Sequence, residues 1–273
     1  MLRQATQQDL QALVALRCAA NGSTAQDAQG WLLRIAGLNH IFVVEKESGA
    51  PQAMLAAVPV AYGAHKGIWF TGVAAVPALQ HMEFTIKLVQ SCVRAFAERG
   101  AEFAVITPSG RPTAQKLEEL GFRNLLPLRM VQIPIGSNLM AQAEFDALPV
   151  RALLQEQMRY QPGCITLPQG AMEEVMTQLY RRGATVVSNR RGYGIFYEAE
   201  DTLQFLELQA ENDHCADVLL QAARNKTGVG NAKLLLAGNQ ALYLGAGRRF
   251  GYGMIAFLKQ PFSVVDAYFR MLL

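Results

Sequence analysis

The sequence is poor in charge, in cysteine and in catalytic signatures. Charged residues make up 17% of its 273 positions against 51% hydrophobic ones, so the chain can bury a sizeable core and an intrinsically disordered polypeptide is excluded. The 25 basic and 22 acidic residues leave a net charge of +3, too mild to point to nucleic acid. The nearest approach to a basic cluster is the set of pairs Arg181-Arg182, Arg190-Arg191 and Arg248-Arg249. Each lies beside an expected turn and reads as solvated loop charge rather than a nucleic-acid footprint. The four cysteines, Cys18, Cys92, Cys164 and Cys215, include no Cys-x-x-Cys spacing, which argues against a disulfide framework or a zinc site and for small buried apolar side chains. No apolar run approaches the roughly 18 residues of a membrane span. The opening Met1-Leu2-Arg3-Gln4 has no apolar signal-peptide core, so a soluble cytoplasmic protein with no membrane partner is expected. Gly-x-Ser-x-Gly, His-Glu-x-x-His and P-loop patterns are also missing.

What is present is a clear alternation of strand and helix patterns. Residues 2–5 read as a short strand. Thr6-Gln7-Gln8-Asp9 then resembles a capping box, ahead of a helix carrying Leu10, Leu13, Val14 and Leu16. A second helix is expected over 24–37. Strands over 41–45, 53–62 and 68–76 form an antiparallel meander, the first turn using Glu47-Ser48-Gly49-Ala50. The best helix spans 83–98, where Phe84, Leu88, Val89, Cys92, Val93 and Phe96 recur at helical spacing. Gly100 follows as a stop signal. A strand over 102–107, a helix over 112–120 and one or two strands over 122–135 complete this run.

Pro134 to Asn138 breaks the pattern, placing a boundary between a domain over 1–136 and a second over 137–273. The second run repeats the first in outline. Helices over 148–160 and 169–182 precede strands over 184–188, 193–198 and 202–209. A helix over 213–225 and strands over 233–237 and 252–258 follow. The expected class is α/β in the α+β sense: two related halves, each a mixed, mostly antiparallel sheet flanked by helices. The repeat is one of element order and not of residues.

The element order of the first half resembles the GNAT acetyltransferase fold. Three stretches carry the likeness: Gly72-Val73-Ala74-Ala75-Val76-Pro77, the helix beginning near Glu83, and Lys116-Leu117-Glu118-Glu119-Leu120-Gly121-Phe122-Arg123. The C-terminal stretch, 250–254 through 269–273, is similar to the end of larger bacterial tandem-GNAT proteins. The resemblance implies that Val73, Ala74, Ala75 and Val76 lie on a bulged, splayed strand whose exposed backbone pairs with the pantetheine arm of acetyl-CoA or another acyl-CoA. It implies that Gln80, His81, Met82, Glu83, Phe84 and Thr85 form the pyrophosphate loop, where backbone N–H groups at a helix start bind phosphate. The family writes this loop as Gln/Arg-x-x-Gly-x-Gly/Ala. Gln80 fits, whereas Glu83 and Thr85 stand where the small residues belong. A carboxylate held about 4 Å from a phosphate charge costs on the order of 4 kcal/mol at an effective dielectric near 20.

The family's general-acid tyrosine is replaced at the matching positions by Lys116 and Leu117, and Lys116 reads first as a solvated helix charge. Glu45, on the first strand of the meander, is one base candidate. The carboxylate of Leu273 is another, on the resemblance, if the run 264–273 docks at the transferase site. His40 and His65 flank strands without ligand spacing, and no metal is expected. His214 beside Asp213 reads as part of a helix cap. The matching loop of the second half, Ala210-Glu211-Asn212-Asp213-His214, has two acids and no glycine, which argues against a second CoA site. The resemblance implies an acyl-CoA-dependent N-acyltransferase acting on a small-molecule amine. The alternative is a catalytically degenerate GNAT module kept for binding or assembly. Homo-oligomerisation is left open.

Overall fold

The computed structural model describes residues 2–45 and 49–272. In chain order it begins with β1 (Leu2–Gln4), α1 (Leu10–Asn21), α2 (Ala25–Gly30), β2 (Ile41–Glu45), β3 (Pro51–Tyr62), β4 (His65–Ala75), α3 (Met82–Glu98), β5 (Phe103–Ile106) and α4 (Arg111–Glu119). It continues with β6 (Arg123–Pro134), β7 (Glu144–Phe145), α5 (Val150–Tyr160), α6 (Gln169–Arg181), β8 (Thr185–Asn189), β9 (Gly192–Ala199), β10 (Thr202–Ala210), α7 (Asp213–Thr227), β11 (Asn231–Ala237) and β12 (Arg248–Phe257). The observed class is the expected one, mixed and mostly antiparallel strands flanked by helices. The turn expected at Glu47 and Ser48 lies outside the described residues.

The chain packs into two compact units, each assembled from separate stretches. One comprises Met1–Leu125, Thr166–Val175 and Tyr252–Ser263, the other Leu126–Ile165, Met176–Gly251 and Val264–Leu273. These units cut across the consecutive spans 1–136 and 137–273 read from element order.

In the first unit β1 to β4 run antiparallel in sequence order, and β4 is parallel to β5. The neighbour on the far side of β5 is the late strand β12, antiparallel, with Met254 opposite Ile106 and Phe257 opposite Phe103. The α3 helix lays Leu88, Val89, Cys92 and Phe96 on this sheet, among Phe42, Phe70, Ala104 and Met254. Their spacing places them on one helical face. Each large side chain removed from water contributes about 1.5–3 kcal/mol, and Phe96 meets Phe42 and Phe70 edge-on. At the N-terminus, the Thr6 N–H donates to the Asp9 carboxylate at 2.7 Å, the expected capping box. The Arg3 guanidinium bonds the same carboxylate and holds its pKa down to about 2.

The second unit repeats this plan. Strands β8, β9 and β10 are antiparallel, β10 is parallel to β11, and β6 lies antiparallel beside β11. The closing strands are therefore exchanged. The stretch expected to close the first half pairs with β11, and the stretch expected to close the second pairs with β5. Alternation of apolar residues specifies which face of a strand is buried but not which strand lies beside it, so the local pattern is identical for either arrangement.

Inside the second unit Glu207 is 1% exposed. Its carboxyl accepts from the Gln157 amide at 2.9 Å and the Gln209 amide at 3.5 Å. Burial raises its pKa above the usual 4.5, only partly opposed by those amides and the Tyr193 hydroxyl. A carboxyl whose pKa is raised by folding adds stability in full below pH 4.5 and loses it as the pH climbs through the raised value. Urea unfolding across that window is expected to show wild type losing stability relative to Glu207→Gln as pH rises. Parallel pH curves for the two proteins would contradict a protonated, buried Glu207.

Candidate functional site

The chemistry-bearing geometry of the first unit starts at one glycine. Along β3 and β4, Met54 opposes Ala74 and Ala56 opposes Thr71. Leu55 alone therefore faces both Gly72 and Val73, a β-bulge. Gly72 has φ 63°, a conformation that a side chain strains. A Cβ there would sit 2.2 Å from Cη2 of Trp31. Trp31 is 1% exposed and begins the π-helical turn Trp31–Ala36 that continues α2, and the Arg17 guanidinium stacks 3.6 Å from its ring centroid. The bulge re-aims the strand. Parallel pairing of β4 with β5 runs from Gly67 opposite Phe103 to Phe70 opposite Ile106 and ends there.

Beyond that point the end of β4 has one backbone edge without a described strand partner. Val76 donates to the Gln52 carbonyl on β3 at 2.8 Å, so alternation turns the N–H and C=O of Ala75 to the opposite, open side. The Gln80 side chain confirms this by donating to the Ala75 carbonyl at 2.8 Å. Val73, Ala74, Ala75, Val76 and Gln80 thus lie together at the end of β4. Trp31, which shapes the bulge, falls within the helix expected over 24–37. The signal that points to it is Gly72, a glycine inside a strand.

The next turn leads into α3. His81 is its N-cap, and Nδ1 accepts the Phe84 N–H at 3.2 Å. Histidine is not among the usual capping residues, so this role was not legible beforehand. Gln80, His81, Met82 and Thr85 line a cavity of about 240 Å³ with Ser109 and Thr113. The last two share a hydroxyl hydrogen bond at 2.9 Å at the start of α4. Phe84 is half-buried against the core of the unit instead of lining that cavity. Glu83 is exposed in the first turn of α3.

The remaining candidates are elsewhere. Glu45 pairs with Arg3 at 2.5 Å on β2, separated from β4 by β3. Lys116 is exposed and bonded to Glu119 at 2.8 Å, which raises its pKa. Leu117 is fully buried. Leu273 lies outside the described residues. The tail before it packs within the second unit, where Tyr268 exchanges backbone bonds with Gly163 and Ile165 at 2.8 Å. There β10 repeats the interrupted pairing: its parallel register with β11 stops at Phe205 opposite Leu234, and a bulge follows. Arg270 donates to the Leu206 carbonyl at this bulge. The N-terminus of α7 is capped by Asn212, which accepts from the Cys215 N–H at 3.0 Å, and not by His214. Asp213 accepts from the Tyr243 N–H at 2.8 Å. All four cysteines are free thiols. Among the described residues no helix is long and apolar enough to cross a membrane, and no cluster of three His, Cys, Asp or Glu could hold a metal.

No protein-family model matches the sequence, and no curated protein matches it. Solved structures do. A GCN5-related N-acetyltransferase from Anabaena variabilis superposes with a TM-score of 0.70 at 13% identity, over 95% of this chain and 73% of that one. Eis1 from Mycobacterium abscessus gives 0.68 at 12% identity, over 94% and 74%. A tandem GNAT protein from the clavulanic acid biosynthesis pathway gives 0.56 at 11% identity, over 96% of this chain and the whole of its own. At these identities what is shared is the fold, and the chain has the GNAT fold.

Placing a methyl group on Gly72 forces it into the Trp31 ring at a left-handed φ. Gly72→Ala is expected to destabilise the protein by about 1–3 kcal/mol. In a Trp31→Ala background the penalty should fall to about 1 kcal/mol, the backbone strain alone. Chemical denaturation of the four proteins of this double-mutant cycle checks it. Additive costs would mean that Trp31 does not hold the bulge.

Proposed function

We propose that the first unit is an acyl-CoA-dependent N-acyltransferase that uses the open edge of β4. The observation that carries this reading is the interrupted parallel pair, with the bulge at Gly72 and the outward-facing N–H of Ala75. A pantetheine arm is an amide chain, and it can pair with that edge as a further strand would, placing its thioester between the diverging strands. A small-molecule amine then attacks the thioester carbonyl directly. Positioning supplies most of the rate, and a backbone N–H on the open edge stabilises the oxyanion. The C–S bond breaks as the amide forms, and the proton lost by the attacking amine balances the departing thiolate, whose thiol has a pKa of about 8.5, so no tyrosine is needed at Lys116 or Leu117 to protonate it. Burial raises the Cys92 thiol to about 12, which leaves it no role as a nucleophile.

Calorimetric titration of the purified chain with acetyl-CoA is expected to give a dissociation constant on the order of 1 µM to 1 mM. Thiol release should follow when primary amines are added. Absence of heat at millimolar acetyl-CoA would sink the reading. Binding without thiol release from any amine would instead favour a module retained for binding or assembly.

A further inference from the structure

We propose that the acyl donor is recognised through its pantetheine arm alone, so that the nucleotide end of coenzyme A adds nothing to binding. This inference rests on the acyl-donor reading above and narrows it. One end of the donor path is open and the other is already occupied. Backbone N–H groups at the start of α3 are the only donors that a helix terminus offers to a diphosphate, and three precede the first helical bond. That of Phe84 is taken by His81 Nδ1 at 3.2 Å. The imidazole lies in the approach to the terminus, its ring set edge-to-face against Phe84 with centroids 6.0 Å apart.

The N–H groups of Met82 and Glu83 remain, and beside them stands the exposed Glu83 carboxylate, already placed where the helix dipole favours an anion. A diphosphate arriving there would meet a like charge. Lys116, the α4 cation that interacts with Glu83, is itself bonded to Glu119 at 2.8 Å. The Gln80 amide is turned back to the Ala75 carbonyl. The cavity at this point, about 240 Å³, is smaller than the roughly 300–1,000 Å³ of a typical small-molecule site. On β4 the outward N–H of Ala75 is left to read the arm, its carbonyl being held by Gln80, while the helix terminus is closed by chemistry of its own.

A pantetheine thioester is borne either by coenzyme A or by the phosphopantetheine of a carrier protein, and titration of the full chain separates the two. The probes are acetyl-CoA, S-acetylpantetheine and a purified carrier protein loaded with an acetyl thioester. Dissociation constants for the first two are expected to agree within about threefold, a difference under about 1 kcal/mol. Tighter binding of the loaded carrier protein than of either small molecule supports the proposal and names the carrier as the source. Equal small-molecule binding with no carrier binding supports it with coenzyme A as the source. A preference for acetyl-CoA of about a hundredfold overturns it while leaving the acyltransferase reading intact. Failure of all three probes to bind overturns both.

The variant His81→Gly/Glu83→Gly provides an independent measurement, because glycine is itself tolerated at a helix N-cap. It should tighten acetyl-CoA binding by about tenfold or more and leave S-acetylpantetheine unchanged. An unaltered ratio in a folded variant would show that these two side chains do not close the terminus, and would overturn the mechanism proposed.

Discussion

The site depends on a single close contact, the ring of Trp31 lying against the backbone at Gly72. That contact requires a residue without a side chain and a positive φ, and the positive φ produces the bulge. The bulge turns β4 out of register with β5 after four paired residues on each strand. From this follow the open edge, the outward carbonyl of Ala75 and its capture by Gln80. None of these groups is unusual chemically. What sets them apart is a backbone edge left without a described strand neighbour beside a well-packed core.

Most of the local structure was legible from periodicity. The helix expected over 83–98 is observed as Met82–Glu98, and its buried face is the one that Leu88, Val89, Cys92 and Phe96 mark out. Strands β1 to β5 of the first unit and the interrupted pair of the second also fall within a few residues of expectation. Illegible features are of two kinds. The exchanged partners of β5 and β11 depend on contacts far apart in sequence, and alternation along a strand carries no label for its neighbour. The cap at His81 depends on a ring nitrogen accepting a backbone N–H, a role that composition does not distinguish from an exposed loop histidine. Glu45 reads as a base candidate on the first strand of the meander, yet Arg3, forty-two positions earlier, pairs with it.

The two units illustrate how one scaffold diverges by filling. Both interrupt a parallel strand pair with a bulge on the strand that precedes a helix. In the first unit the widened edge is bordered by small residues, Ala74 and Ala75. In the second, the matching region carries Glu207, Gln209 and Gln157, all buried, and Arg270 from the tail donates to the bulge itself. The Gln157 and Gln209 amides there donate to one oxygen of Glu207, while Glu207 Oε2 and Gln157 Oε1 are buried without a hydrogen-bond partner among the described residues. Burial raises the pKa of that carboxyl.

The exchange of closing strands also governs how the molecule comes into being on the ribosome. The strand that completes the sheet beside β5 starts at Arg248, so the first unit remains unfinished until synthesis has passed Phe257. During that interval β5, with all four of its residues buried in the finished protein, has an unpaired edge. A strand in that condition is a template for the wrong partner. The arrangement ties completion of the sheet beside β5 to synthesis of β12, and leaves any chain cut short before Arg248 with an adhesive sheet edge.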